Sequence, residues 1–100
     1  TAEAYVIVGD PVTASYARMG TVDLATAVAD VLGPSVCVMM ENHGVLTVGA
    51  SLLEAFDRLE VVEVAAQQTL MALRLPGVQS LAGEQLVELD EFIGRPSASR

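Results

Sequence analysis

Ser35-Val-Cys-Val-Met-Met-Glu-Asn-His-Gly-Val-Leu-Thr-Val48 is the stretch on which the fold turns. Ser35 to Met40 is an almost unbroken apolar run between Pro34 and Glu41, with no polar residue at alternate positions. That is the pattern of a strand covered on both faces, so it predicts a central strand in which Val36, Val38 and Met40 and also Cys37 and Met39 are buried. Glu41-Asn42-His43-Gly44 then supplies three polar residues and a glycine, a turn at the end of the buried strand, and Val45 to Val48 resumes extended structure before Gly49.

C-terminal to this stretch, Ser51-Leu-Leu-Glu54 has the form of a capping box, in which the Ser hydroxyl and the Glu carboxylate each take an orphan backbone N–H. It opens a helix expected over about 52–74. Leu52, Ala55, Leu59, Val62, Ala66, Leu70 and Leu73 recur near a 3.6-residue period and are expected to form its core face. Leu53, Phe56, Glu60, Glu63, Gln67 and Met71 share an adjoining arc, either a subunit contact or a solvated face. Pro76-Gly77 ends the helix. A last amphipathic segment, 84–93, is expected to turn Leu86, Leu89 and Ile93 inward, and the Ser- and Pro-containing tail 94–100 is expected to be loose.

N-terminal to it, Val22, Leu24, Ala25, Val28, Val31 and Leu32 have helical spacing. Thr21 as N-cap, Asp23 in the first turn and Gly33-Pro34 as stop set a helix over 22–32. Tyr5 to Val8 is a short β-branched and aromatic run closed by Gly9-Asp10-Pro11 and is expected to be extended, as is Val12 to Tyr16. There is no internal repeat and no domain linker.

The chain has 100 residues, 52% of them hydrophobic, enough for a core of its own and incompatible with intrinsic disorder. Thirteen acidic residues against five arginines give a net charge of −8, which repels the phosphates of nucleic acids and anionic membrane surfaces. No uncharged stretch approaches the roughly 18 apolar residues that span a bilayer, so a soluble chain is expected. The single cysteine, Cys37, lies in an apolar run and forms no internal disulfide, which suits a reducing, cytoplasmic setting, and no secretory signal opens the sequence. A mean hydropathy of +0.49 in so short a chain implies apolar surface that needs a partner, as in an oligomer subunit or a half-domain.

His43 is the only histidine and stands just past the end of the central strand, where ligands collect in α/β sheets. A catalytic zinc needs about three protein ligands, and no other candidate has a fixed spacing to His43, so capping or turn hydrogen bonding is the commoner role for a lone histidine. Glu41, two residues away, is placed to orient the ring or to end the strand in solvent. Glu60 and Glu63 read as a charged or interfacial helix face. Gly44 and Gly49 fit no phosphate-binding loop, and Ser15, Ser35 and Ser51 lack a nucleophile-elbow context.

Several motifs together resemble the C-terminal half of the class II aldolase/adducin family over about residues 3–93. They are Tyr16-Ala-Arg-Met-Gly-Thr21, then Glu41-Asn-His-Gly44 with Val45-Leu-Thr-Val-Gly49, then Ser51-Leu-Leu-Glu-Ala-Phe56 and Leu59-Glu-Val-Val-Glu-Val-Ala-Ala66. The resemblance implies an α/β fold of three layers, α/β/α, with a predominantly antiparallel central sheet. It also implies that His43 is one of three histidine ligands of a divalent metal, usually zinc. The other two histidines of the family lie in a His-x-His motif N-terminal to this region, as do the acid/base glutamate and the phosphate loops, so the chain resembles a fragment. On that reading it supplies no catalytic residue of its own and is inactive alone. It would need the N-terminal half of the domain as partner, a small-molecule substrate, and a homo-oligomer, a tetramer in the family. The aldolases of the family also use two tyrosines as proton donors. Residues 84–100 contain none and Tyr5 is the one candidate for the other, which leaves epimerase, dehydratase and decarboxylase chemistry open beside aldol cleavage of a sugar phosphate. The alternative is a non-catalytic, adducin-head-like association module.

Overall fold

The computed structural model describes residues 1–96. Its elements in order are α1 (Ala2–Val8), β1 (Val12–Ala14), α2 (Val22–Leu32), β2 (Cys37–Met40), β3 (Gly44–Thr47), α3 (Leu52–Ala72) and α4 (Gly83–Ile93). The strands form one sheet in the order β1-β2-β3, with β2 in the centre as its apolar run requires. β1 pairs with β2 in parallel, Val12 opposite Val38 and Ala14 opposite Met40. β2 and β3 form an antiparallel hairpin, Cys37 opposite Thr47 and Met40 opposite Gly44. This sheet is therefore mixed. α2 packs on β1 and β2, α3 on β3, and α1 on α3 and α4. No described helix is long and apolar enough to cross a membrane.

The small core consists of Tyr5, Val8, Ala14, Cys37 and Val38. β2 is covered at its start, where Cys37 and Val38 are sealed, but Met39 is 42% exposed, so this chain by itself does not cover both faces of the strand at Met39. Burial also pushes the Cys37 thiol up from its ordinary pKa, which keeps it protonated and unreactive.

α2 matches its expected limits. Thr21 Oγ1 accepts from the Leu24 N–H at 3.3 Å, and Gly33 closes the helix with a positive φ. The expectation of an extended Tyr5–Val8 is overturned, because these residues form the second half of α1. Thr1 caps that helix through its side chain and Glu3 sits in the first turn. Packing of Tyr5 and Val8 into the core outweighs the β preference of Tyr-Val-Ile-Val, which is weak and depends on context.

α3 begins at the expected cap, Ser51 Oγ accepting from the Glu54 N–H at 3.1 Å, and ends at Ala72, two residues early. Glu54 does not close the box on Ser51; its carboxylate takes the N–H of Ala50 and pairs with Arg58 at 3.0 Å. The inward face is also rotated from the expected stripe. Ala55, Arg58, Val61, Val62, Ala65 and Ala72 are half-buried, whereas Leu52, Leu70 and Leu73 stay exposed. Polar bonds at the N-terminus set this rotation: Thr47 Oγ1 donates to Ala55 O at 2.8 Å and Arg58 Nη1 to Val48 O at 2.6 Å. In α4, Leu86 and Leu89 are half-buried as expected, but Ile93 is exposed and Asp90 is the buried residue of the turn.

Gly49 is what lets α3 approach β3 so closely. A Cβ on Gly49 would lie 2.8 Å from the backbone nitrogen of Ala55 and 3.0 Å from Glu54 Cβ. Backbone cannot swing aside as a long side chain does, so Gly49→Ala is expected to cost about 1–3 kcal/mol, the usual range for overpacking. Urea denaturation checks this, with a lower midpoint and an unchanged slope as the expected result.

Candidate functional site

His43 ends the turn that joins β2 to β3. Its N–H donates to Met40 O at 3.0 Å, and Asn42 adopts φ 60°, the left-handed conformation that a turn of this kind gives to Gly or Asn. The turn projects the imidazole against the segment leaving β1. Nε2 lies 2.6 Å from Ala17 O, and the Tyr16 ring stacks on the imidazole with centroids 5.4 Å apart and planes 10° from parallel. A carbonyl oxygen only accepts, so Nε2 is the donor in this contact.

Glu41 does not touch the ring. Its backbone N–H donates to Ala14 O at 3.1 Å, continuing the β1–β2 pairing by one step, and its Oε2 accepts from the Tyr16 N–H at 3.0 Å. Parallel pairing of β1 with β2 thus brings residues 16–17 beside 41–43, about 26 positions apart in sequence. His43, Glu41 and Tyr16 are all exposed, so this is an open surface site.

The other candidates are dispersed. Glu60 is exposed on α3, as is Glu63, which is bonded by Gln67 of the next turn at 3.2 Å. Tyr5 is 7% exposed, with its hydroxyl donating to Asp90 Oδ1 and Oδ2 at 3.0 and 3.1 Å, so its proton is committed to the core. Among the described residues no three His, Cys, Asp or Glu side chains gather to hold a metal. A groove of about 800 Å³ runs between α1, α3 and the stretch before α4, but it has no charged or imidazole side chain in its lining and excludes His43, Glu41 and Tyr16. Concavity without an acid, base or ligand carries no chemistry.

The expected loose tail is described only over Gly94–Pro96; residues 97–100 lie outside the described residues. Arg95 is held there, with Nη1 3.1 Å from Tyr5 O, Nη2 2.8 Å from Val6 O and the guanidinium 5.3 Å from the centre of the Tyr5 ring.

A family model for the Class II Aldolase and Adducin N-terminal domain matches residues 1–70, which include the whole Tyr16–His43 arrangement. The chain belongs to the class II aldolase/adducin family. Two L-fuculose phosphate aldolases of Methanococcus maripaludis, from strains C7 and S2, are 34% and 33% identical to this aldolase/adducin chain over 67 residues, 67% of the chain and 36% of each relative. A solved structure, YgbL of Klebsiella pneumoniae, named as a candidate aldolase/epimerase/decarboxylase, superposes with a TM-score of 0.77 at 30% identity, covering 89% of this chain and 42% of that one. α4 lies beyond the residues of the family match. The chain thus spans little more than a third of the length of the curated relatives it matches.

Sequence reasoning singled out His43 and weighed Glu41, but gave Tyr16 and Ala17 no role. The signal was present in the Tyr16–Thr21 motif. What sequence could not supply was the register that sets that motif against the turn.

Proposed function

We propose that this chain is part of a metal-dependent class II aldolase-type enzyme acting on a small sugar phosphate or a related hydroxy-carbonyl compound, and that His43 is its contribution to the metal. The observation that carries the reading is the imidazole itself, in the family's Asn-His-Gly turn at the end of the central strand, oriented by a stacked ring and a carbonyl. His43 fits one corner of a divalent-metal site, zinc being the usual ion of the family. The remaining ligands and the acid/base glutamate would come from the N-terminal half of the domain, which would also complete a three-layer, predominantly antiparallel sheet.

When bound, such a metal supplies positive charge that polarises adjacent substrate oxygens and stabilises negative charge developing there. The chain's own part is to hold the imidazole at a fixed angle. Tyr16 covers one ring face and Ala17 O fixes the Nε2 proton, so the ring does not rotate away from its ligand position. Aldol cleavage, epimerisation, dehydration and decarboxylation all pass through charge on such oxygens. The fuculose-phosphate relatives make L-fuculose phosphate the first substrate to try. The exposed arc of Leu53, Phe56, Glu60, Glu63, Gln67 and Met71 is the proposed contact of a cytoplasmic homo-oligomer.

The test is chelation of the protein with its N-terminal half present. Activity on L-fuculose phosphate or another ketose phosphate is expected to vanish with a chelator and return with Zn²⁺. Activity that survives chelation overturns metal dependence. A protein that self-associates, keeps zinc and turns over none of these compounds supports the association module.

A further inference from the structure

We propose that Glu41 and Tyr16 are the positioning residues of His43, Glu41 fixing the backbone at Tyr16 so that the Tyr16 ring and the Ala17 carbonyl together set the angle of the imidazole. The proposal rests on His43 being the chain's ligand only for its consequence in metal affinity; the clasp itself stands on its own geometry.

Three contacts link two short segments. Glu41 Oε2 takes the Tyr16 N–H at 3.0 Å, the Tyr16 ring lies on the imidazole face at 5.4 Å, and Ala17 O meets Nε2 at 2.6 Å. Glu41 is itself held at its base, since its N–H bonds Ala14 O at 3.1 Å and its chain continues into the turn whose Met40 O takes the His43 N–H. The carboxylate therefore reaches across from a fixed point just past β2 to the first residues beyond β1, where no strand pairing remains.

The segment Tyr16–Thr21 needs such a tie. It is not in a helix or strand, Tyr16 is 58% exposed and Met19 74%, and the next internal bond is Thr21 Oγ1 to Arg18 O. Without Glu41, residue 16 would be held to the turn only by the ring stack and the Ala17 bond, both on a side chain free to rotate at the surface. With Glu41, the ring, the carbonyl and the carboxylate close a loop through two backbones. A carboxylate serves here as a hydrogen-bond acceptor of the right length rather than as an acid or base, so glutamine, whose Oε1 also accepts an N–H, should replace it.

The experiment uses the ring protons of His43, which need no assignment because the chain has one histidine. In ¹H NMR spectra of the chain, taken under alkaline conditions where imidazoles are neutral, both ring C–H signals should lie upfield of their free-histidine positions because of the stacked Tyr16 ring. Glu41→Ala should remove most of that displacement, Tyr16→Leu all of it, and Glu41→Gln and Tyr16→Phe little. Far-UV circular dichroism accompanies each variant, and both residues are exposed, so the fold should persist; were Glu41→Ala to unfold, the Glu41→Gln and Tyr16 variants decide the matter. Unchanged ring shifts in Glu41→Ala overturn the proposal, and so does their loss in Glu41→Gln. In the protein with its complete site, Glu41→Ala should weaken Zn²⁺ binding roughly 10–100-fold, the range found when a partner of a metal-bound histidine is removed. Ring shifts that respond while Zn²⁺ affinity does not would leave the clasp standing and remove His43 from the metal.

Discussion

His43→Ala, introduced into the protein with its complete metal site, is expected to lower kcat/KM by more than about 100-fold, because removing a ligand should exceed the 10–100-fold that removing a ligand's outer partner costs. The loss should appear first in bound zinc, measured by elemental analysis after dialysis, and only through that in turnover. Stability should hardly change. His43 is exposed, and the substitution gives up one stacked ring pair and one hydrogen bond at the surface, together worth about 1 kcal/mol. A variant that folds normally and retains both zinc and activity would exclude His43 from the site. Excess Zn²⁺ should restore part of the activity if the remaining ligands still bind weakly.

Asp90→Ala is expected to have the opposite profile, severe for the fold and silent on the metal. Asp90 is 1% exposed, receives the Tyr5 hydroxyl on both oxygens and faces the Arg95 guanidinium at 3.4 Å. Alanine takes the Asp90 carboxylate away from the buried phenol, at about 1–3 kcal/mol, and removes the anion opposite a half-buried cation. A total near 3 kcal/mol would lower Tm by roughly 10–20 °C for a domain of this size. Tyr5→Phe takes away only the hydroxyl and should cost about 1 kcal/mol. In a double-mutant cycle the pair should then show a coupling of about 1 kcal/mol or more. Additive effects would mean that Asp90 acts through contacts other than the Tyr5 hydroxyl.

The local rules were readable wherever a cap or a stop decided the outcome. Thr21 and Gly33 bound α2, Ser51 starts α3, and the apolar run to Met40 is the middle strand. Reading failed where contacts distant in sequence outweighed local pattern. Tyr5-Val-Ile-Val8 looks extended by its side chains, yet Thr1 three residues before Ala4 was a legible cap, and packing on α3 and α4 settled the helix. The α3 stripe was misplaced because periodicity finds apolar faces without knowing which one lies beside a glycine. The approach at Gly49 and the bonds from Thr47 and Arg58 chose the face with the smaller side chains. Asp90 carries no mark of its burial in the sequence, since nothing in 84–93 announces a tyrosine 85 positions earlier. The site divides in the same way. His43 was visible as the lone imidazole in a turn, while its support from Tyr16 and Ala17 depended on a parallel strand register.

The contact of Tyr5 with Asp90 joins positions 85 residues apart, and that of Arg95 with Val6 joins positions 89 apart. Closing a loop of that size costs entropy that grows with the logarithm of its length, whereas the β2–β3 hairpin closes over a few residues. The hairpin and the helices can therefore form while the two ends of the chain are still apart, and the ends are expected to meet last. Interactions absent from the transition state govern how fast a native molecule opens, not how fast it is reached. The Tyr5–Asp90–Arg95 contact is thus expected to control native-state lifetime: weakening it should shorten residence in the folded state, and with it the period over which His43 stays in place, at an unchanged rate of folding.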